Sequence, residues 1–196
     1  MFKKSLLIST VLLSQLAAQF DGVYAGVGYG NTIVNSRIKA EVMSADVVSK
    51  KNMCSELIVG YGDLIGKRAY LGLEALFMPL SFTGTPSDKK FDGIKAKMTH
   101  KLASSACMRF GYVLGPVMPF LEAGFAYTET AMKSEKKRSD IKSHGMMHGA
   151  GVDVDVWKNV KLGFTYSVIN YKSFIHEEIS VKPSTNNCRV RLLYCF

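Results

Sequence analysis

After its first 18 residues this chain has no apolar run approaching the roughly 18–20 residues that a membrane-spanning helix requires. Spanning helices are excluded, although hydrophobic residues make up 47% of its 196 residues. Cysteine is sparse and poorly placed for chemistry. Cys54, Cys107, Cys188 and Cys195 form no CxxC or zinc-like spacing and have no histidine companions. Their even number permits disulfides in an oxidising compartment, but a core of this size needs no staples, and they read as free or incidental thiols. Histidine is limited to His100, His144, His148 and His176. No His-x-Ser pair falls on an alternating segment, and His144 and His148 on one strand would stand roughly 13 Å apart, too far to share a metal ion. Gly26-x-Gly28-x-Gly30 lacks the third glycine and following helix of a nucleotide loop. No catalytic residue, cofactor or metal site is expected. Nucleic acid is a poor partner, because the lysines have no aromatic stacking platform beside them.

What the chain does have begins at its N-terminus. Met1-Phe2-Lys3-Lys4 is a short basic segment, Leu6 to Leu16 is apolar apart from Ser9, Thr10, Ser14 and Gln15, and Leu16-Ala17-Ala18 offers small residues before Gln19. Residues 1–18 therefore fit a cleavable secretory signal peptide, too short to span a bilayer. No cysteine follows the apolar core, so a lipoprotein anchor is not expected. Residues 19–196 suit a single domain, and loss of Lys3 and Lys4 would take the net charge from +9 to +7.

The rest of the chain is organised by alternation. Read backwards from Phe196, Tyr194, Leu192, Val190 and Cys188 alternate with Cys195, Leu193, Arg191 and Arg189, the period-2 signature of a strand with two unlike faces. Seven further segments alternate in the same way: 22–30, 53–62, 68–82, 97–112, 117–132, 146–156 and 160–171. The connections alternate long and short, with longer ones at about 31–52, 83–96, 133–145 and 172–186. Aromatics on the apolar row fall near strand ends: Tyr29, Phe77, Tyr127 and Tyr166 at one end, Tyr61, Phe110, Tyr112, Tyr194 and Phe196 at the other. An even count of Gly- and aromatic-rich strands, with two aromatic girdles, predicts an all-β, eight-stranded antiparallel up-and-down transmembrane barrel.

Charges occupy the opposite row. Glu56, Glu74, Arg109, Glu122, Asp153, Asp155, Lys161, Arg189 and Arg191 would all point into the lumen, five acids against four bases. Counting from the turns places Arg109 opposite Glu122 and Asp155 opposite Lys161. Arg189 and Arg191 lie beside a first strand whose inner face is mostly glycine, from where they could reach Glu56. Such a narrow lumen is filled by side chains rather than open water, and the charge row reads as a satisfied polar core, with a gate as the functional alternative.

Signal peptide, eight strands, inward charges and terminal Phe together make the chain resemble the small bacterial outer-membrane barrels of the OmpA/OmpX type over residues 19–196. Val190, Leu192, Tyr194 and Phe196 match the C-terminal insertion signal of that class, which implies engagement of the outer-membrane barrel assembly machinery through the last strand. The periplasmic peptidoglycan-binding domain of the family is absent from the sequence, so a wall-anchoring role is not expected. The resemblance implies an outer-membrane location, with the lipid bilayer and lipopolysaccharide as surroundings. Basic residues in the longer connections, Lys89, Lys90, Lys136, Lys137 and Arg138, would attract lipopolysaccharide phosphates, sulfated host glycans or surface proteins. The expected function is non-enzymatic: envelope structure and surface interaction. The alternatives are a small porin-like channel gated by the inward charges and a lipid A-modifying enzyme.

Overall fold

A computed structural model describes residues 20–39, 44–48, 52–79, 82–84, 97–133, 138–176 and 179–196. Eleven strands are present among them: β1 (Gly22–Lys39), β2 (Ser44–Val48), β3 (Asn52–Ile65), β4 (Ala69–Met78), β5 (Phe82–Gly84), β6 (Lys97–Tyr112), β7 (Val117–Lys133), β8 (Arg138–Trp157), β9 (Val160–Tyr171), β10 (Phe174–His176) and β11 (Ile179–Cys195). Eight of them, β1, β3, β4, β6, β7, β8, β9 and β11, pair antiparallel in a continuous ring, and β1 closes onto β11 from Tyr24↔Cys195 to Lys39↔Ser180. The predicted up-and-down barrel is therefore present, and β2, β5 and β10 are short additions to β1, β6 and β11 at one end.

The register sets the dimensions. Followed from partner to partner, Asn35 leads through Ser184, Asn170, Met146, Phe125, Ala106, Ala75 and Val59 to Ala25, a displacement of ten residues along β1 after one circuit. With ~3.3 Å per residue and ~4.8 Å between strands, that shear over eight staves gives a tilt of roughly 41° and a radius of about 8 Å. Along β7 the outward row stays free of charge from Val117 to Tyr127 and meets Glu129 next. Those ten steps rise roughly 25 Å at that tilt, the height of the apolar band of an outer-membrane barrel.

Alternation places the side chains as the sequence indicates. Val27, Leu57, Leu73, Leu121, Phe125 and Val190 point outward, Phe125 with 72% of its surface uncovered. Outward charges of the described residues sit only near strand ends or turns, among them Asp21, Asp63, Glu129, Lys142, Lys172 and Lys182. A continuous apolar belt of this extent would be a large liability against water and is matched only by hydrocarbon. Closure into a ring also pairs the backbone groups that hydrocarbon would leave unsatisfied.

Three short turns define the end that also holds both chain termini of the barrel, the periplasmic end in this class. Gly66 (φ +74°) and Gly115 (φ +64°) supply the left-handed residues of two of them. The β3–β4 turn is tighter than residues 63–67 suggest, because Asp63, Leu64 and Ile65 still pair with β4. A bulge between Asp155 and Trp157 precedes the third turn. Phe196 donates its N–H to the Val23 carbonyl (3.0 Å), and its ring packs edge-on against Tyr194 at 5.2 Å.

At the opposite end several boundaries differ from the sequence reading. β1 runs to Lys39 rather than residue 30, β8 begins at Arg138 rather than 146, and β11 begins at Ile179 rather than 187. The supposed loops 31–52, 133–145 and 172–186 are largely hairpin. Beyond the bilayer both strand faces meet polar surroundings, so the apolar alternation ends while the hydrogen-bond ladder continues. Conversely, β4 stops at Met78 instead of residue 82, because Pro79 has no N–H to continue the ladder. Residues 1–18, which carry the signal-peptide reading, lie outside the described residues, as does most of the 83–96 connection.

Candidate functional site

The barrel interior is where ionisable side chains converge. All nine charges assigned to the lumen are buried, with exposures of 1–8%. Alternation brings them there, since each occupies the inward parity of its strand. How they pair is set by the reach of arginine across the lumen.

Four residues form a closed quartet. Arg109 on β6 contacts Glu74 at 3.2 Å and Asp153 at 2.6 Å; Arg191 on β11 contacts the same two acids at 2.8 and 3.3 Å. Each guanidinium thus bridges both carboxylates, and each carboxylate is shared by both guanidiniums. Tyr24 adds its hydroxyl, donating to Glu74 Oε2 at 3.0 Å and accepting from Arg109 Nη1 at 3.3 Å. Phe120 lies against the quartet with its ring centroid 3.6 Å from the Arg109 guanidinium carbon and 5.4 Å from that of Arg191. The planar, multidentate shape of arginine suits this arrangement as lysine would not.

A second group is built on Arg189. It contacts Glu56 at 2.5 Å and Glu122 at 3.5 Å, and donates to Ser167 Oγ at 2.9 Å. Thr32 hydrogen-bonds Asn187 Oδ1 at 2.9 Å and contacts Cys54 Sγ at 2.8 Å nearby in the strand register. Towards the periplasmic mouth, Lys161 pairs with Asp155 at 3.2 Å and lies 4.3 Å from the Phe20 ring centroid.

Several sequence-stated pairings are present. Asp155 stands opposite Lys161 in the register and bonds to it, and Arg189 reaches Glu56. Arg109 stands opposite Glu122, as the turn count indicates. Its ion pairs, however, are with Glu74 and Asp153, while Glu122 is met by Arg189. The space at Gly28 is also used differently: a Cβ there would collide with the Glu56 carboxylate, so the glycine makes room for the acid rather than for the arginines. On the other side of Arg191, a Cβ at Gly163 would strike Asp153 Oδ1. Tyr24, Phe120 and Ser167 were not legible as members of the network. Tyr24 and Phe120 are aromatic residues on the inner row, where the alternation alone gives no reason to expect them.

The chemistry available here is electrostatic. Glu74, Cys107 and Glu122 bring one donor atom each within 4.8 Å of one another, a spacing compatible with a metal. Both oxygens of Glu74 are already committed, Oε1 to Arg191 and Oε2 to Arg109 and Tyr24, so the donor set fits an ion-pair lattice better than a cation site. All four cysteines are free, Cys54, Cys107 and Cys195 buried and Cys188 exposed. Ser143 is inward and buried while His144 beside it is outward, so the two do not share a face, and His148 also faces outward. Lys89, Lys90, Lys136 and Lys137 lie outside the described residues. Arg138 opens β8 opposite Lys133 and is not in a loop.

In overall structure the chain is similar to Neisserial surface protein A (TM-score 0.54, 16% identity, 90% of this chain and 98% of that one). It is similar to the outer membrane protein OprG from Pseudomonas aeruginosa (TM-score 0.52, 12% identity, 90% and 97%) and to the outer membrane protein AlkL (TM-score 0.52, 8% identity, 90% and 92%). At these identities the likeness is one of fold. No curated protein matches the sequence. The family model described as outer membrane protein beta-barrel domain matches residues 5–196. With the lipid-facing belt, the closed ring and this match, the chain belongs to the outer-membrane β-barrel protein family and resides in the bacterial outer membrane.

Proposed function

We propose that this chain is a non-enzymatic structural barrel of the outer membrane, sealed through its lumen and interacting with its surroundings through its outer end. The observation that carries this reading is the lumen itself. At a radius of about 8 Å, an eight-stranded wall leaves room for little beyond its own inward side chains, and here the central cross-section is spanned by Glu74, Arg109, Asp153 and Arg191 in mutual contact. Moving one of these groups aside would separate buried charges from their partners, which costs several kcal/mol. A reading as wall rather than channel follows from that energy.

Non-enzymatic function is supported by the opposite orientations of Ser143 and His144 and by the commitment of the buried acids to arginine. Interaction at the outer end is supported by excess positive charge, +9 over the full sequence and +7 without Lys3 and Lys4, which favours anionic glycolipids and sulfated glycans. The test is conductance in planar bilayers with purified, refolded protein, alongside mass spectrometry of lipid A from cells with and without it. The expected result is an unbroken baseline and identical lipid A species. Discrete openings that widen in Glu122→Ala would replace the wall with a channel; a changed lipid A species would replace it with an enzyme.

A further inference from the structure

Among the described residues, the outward surface carries a depression that the lumen does not explain. It crosses β3, β4, β6 and β7 on the hydrocarbon side and has a volume of about 520 Å³, within the range of small-molecule sites. Its floor is low because Ala75 and Ala106 are neighbours in the register, with Ser104 beside them; its walls are Leu57 and Phe77 on one side and Phe125 and Tyr127 on the other.

The register gives the groove a direction. Leu57, Phe77, Ser104, Tyr127 and His144 are successive cross-strand partners on β3, β4, β6, β7 and β8. At the tilt set by the shear, each step along this row climbs roughly 3 Å towards the outer side. The depression therefore begins among aliphatic side chains within the belt and opens at Tyr127, the residue of the outward row of β7 that precedes Glu129. Beside that opening stand Lys142 and His144 on β8, and one strand further on Lys172 just past the end of β9, all exposed, with the Lys172 N–H bonded to the His144 carbonyl at 3.0 Å. Glu129 is an acid of this rim; it holds Lys142 at 3.7 Å and accepts from the Tyr127 hydroxyl at 3.0 Å, which fixes the Tyr127 ring as a wall.

We infer that this groove is a binding site for a phosphorylated, multi-acylated glycolipid of the outer leaflet, one acyl chain lying over Ala75 and Ala106 between Phe77 and Phe125 and a phosphate meeting Lys142 and Lys172. Three observations select that occupant. The groove faces hydrocarbon, so its natural filling is a chain of methylenes. It runs up to the interface instead of ending within the belt, so the occupant has a headgroup. Among the described side chains the rim there has two lysines and a histidine against one glutamate, which is complementary to an anion. The site rests on the outer-membrane placement of the barrel and is independent of whether the outer connections bind glycans.

The test is native mass spectrometry of the detergent-folded protein incubated with bis-phosphorylated hexa-acyl lipid A, with its dephosphorylated form and phosphatidylglycerol as comparison lipids. Ala106→Phe fills the groove from its floor; Ala150→Phe places the same ring on the outward row of β8, outside it. The wild type and Ala150→Phe should each retain one lipid A, while Ala106→Phe and Lys142→Gln/Lys172→Gln should bind at least tenfold less. Dephosphorylated lipid A and phosphatidylglycerol should bind at least tenfold less to the wild type. Heat-modifiable gel migration verifies folding of each variant, and the lysine pair tests the site even if Ala106→Phe does not fold. Undiminished binding in the folded groove and lysine variants, equal retention of all three lipids, or dimers in place of lipid adducts would each overturn the assignment, the last in favour of a second copy of the chain. Conductance of the wild type would refute the sealed-wall reading while leaving this result unaffected.

Discussion

Arg109→Met is the substitution that most directly tests whether the quartet holds the barrel interior together. Arg109 is 1% exposed and contacts Glu74 at 3.2 Å, Asp153 at 2.6 Å and the Phe120 ring at 3.6 Å. Methionine fills much of the same space, so the cavity contribution is small and the loss is mainly electrostatic. The quartet passes from two bases and two acids to one base and two acids. Removing one partner of a buried pair costs about 3–5 kcal/mol. Here Arg191 still contacts both acids, at 2.8 and 3.3 Å, and Tyr24 still donates to Glu74. The expected cost is therefore at the low end, about 3 kcal/mol.

Glu74→Gln in the same background separates this explanation from simple packing loss. It removes the surplus negative charge while keeping the shape, so the double variant should be more stable than the sum of the two single effects by about 1–2 kcal/mol. The assay is equilibrium urea unfolding in phospholipid vesicles, followed by fluorescence of Trp157, the single tryptophan, which is 76% exposed near the periplasmic edge. A loss below about 1 kcal/mol for Arg109→Met, or strict additivity in the double variant, would refute the quartet as a cooperative unit.

Other outcomes follow from the same structure. Gly28→Ala puts a methyl into the space of the Glu56 carboxylate and displaces it from Arg189; a loss of about 2–4 kcal/mol is expected in the same unfolding assay, and a neutral result would show that the lumen has slack there. Deleting Phe196 removes the bond to Val23 and the contact with Tyr194, an intrinsic loss of about 1–2 kcal/mol. Its effect on the inserted amount in cells should far exceed that of an equally destabilising lumen change if the C-terminal signal operates; equal effects would remove the signal reading. A maleimide should add one label to the folded protein, at Cys188, and four after unfolding, because Cys54, Cys107 and Cys195 are 4–5% exposed. Two or more labels on the folded form would contradict the inward placement of those three.

The belt and the lumen were legible because lipid on one side and a polar core on the other impose a strict period of two. A strand such as β9, Val160–Tyr171, lies wholly between those two environments and has the bounds read from its sequence. β8 does not: residues 138–145 pair with β7 as regularly as residues 146–154 do, yet alternate no apolar face. What ended at residue 146 was the hydrocarbon, not the strand. The resulting error is systematic, and it converts outer hairpin into apparent loop at β1, β8 and β11 alike.

The pairing inside the lumen was only half legible, for a different physical reason. Turn lengths fix which residues face each other across adjacent strands, and both registers counted from the turns are present. Ion pairs in a closed barrel are not confined to adjacent strands. With a radius of about 8 Å, an arginine on β6 or β11 can reach the middle of the lumen, where acids from β4 and β8 also arrive. The shear of ten then determines which of them share a level, and shear is a property of the closed ring that no single hairpin contains. Arg109 therefore passes over Glu122, its register partner, to join Glu74 and Asp153, and Glu122 is left to Arg189. The same offset that decides these pairings inside tilts the rows outside, so the network that spans the lumen and the groove that rises from Leu57 to Tyr127 both follow from how the ring closes.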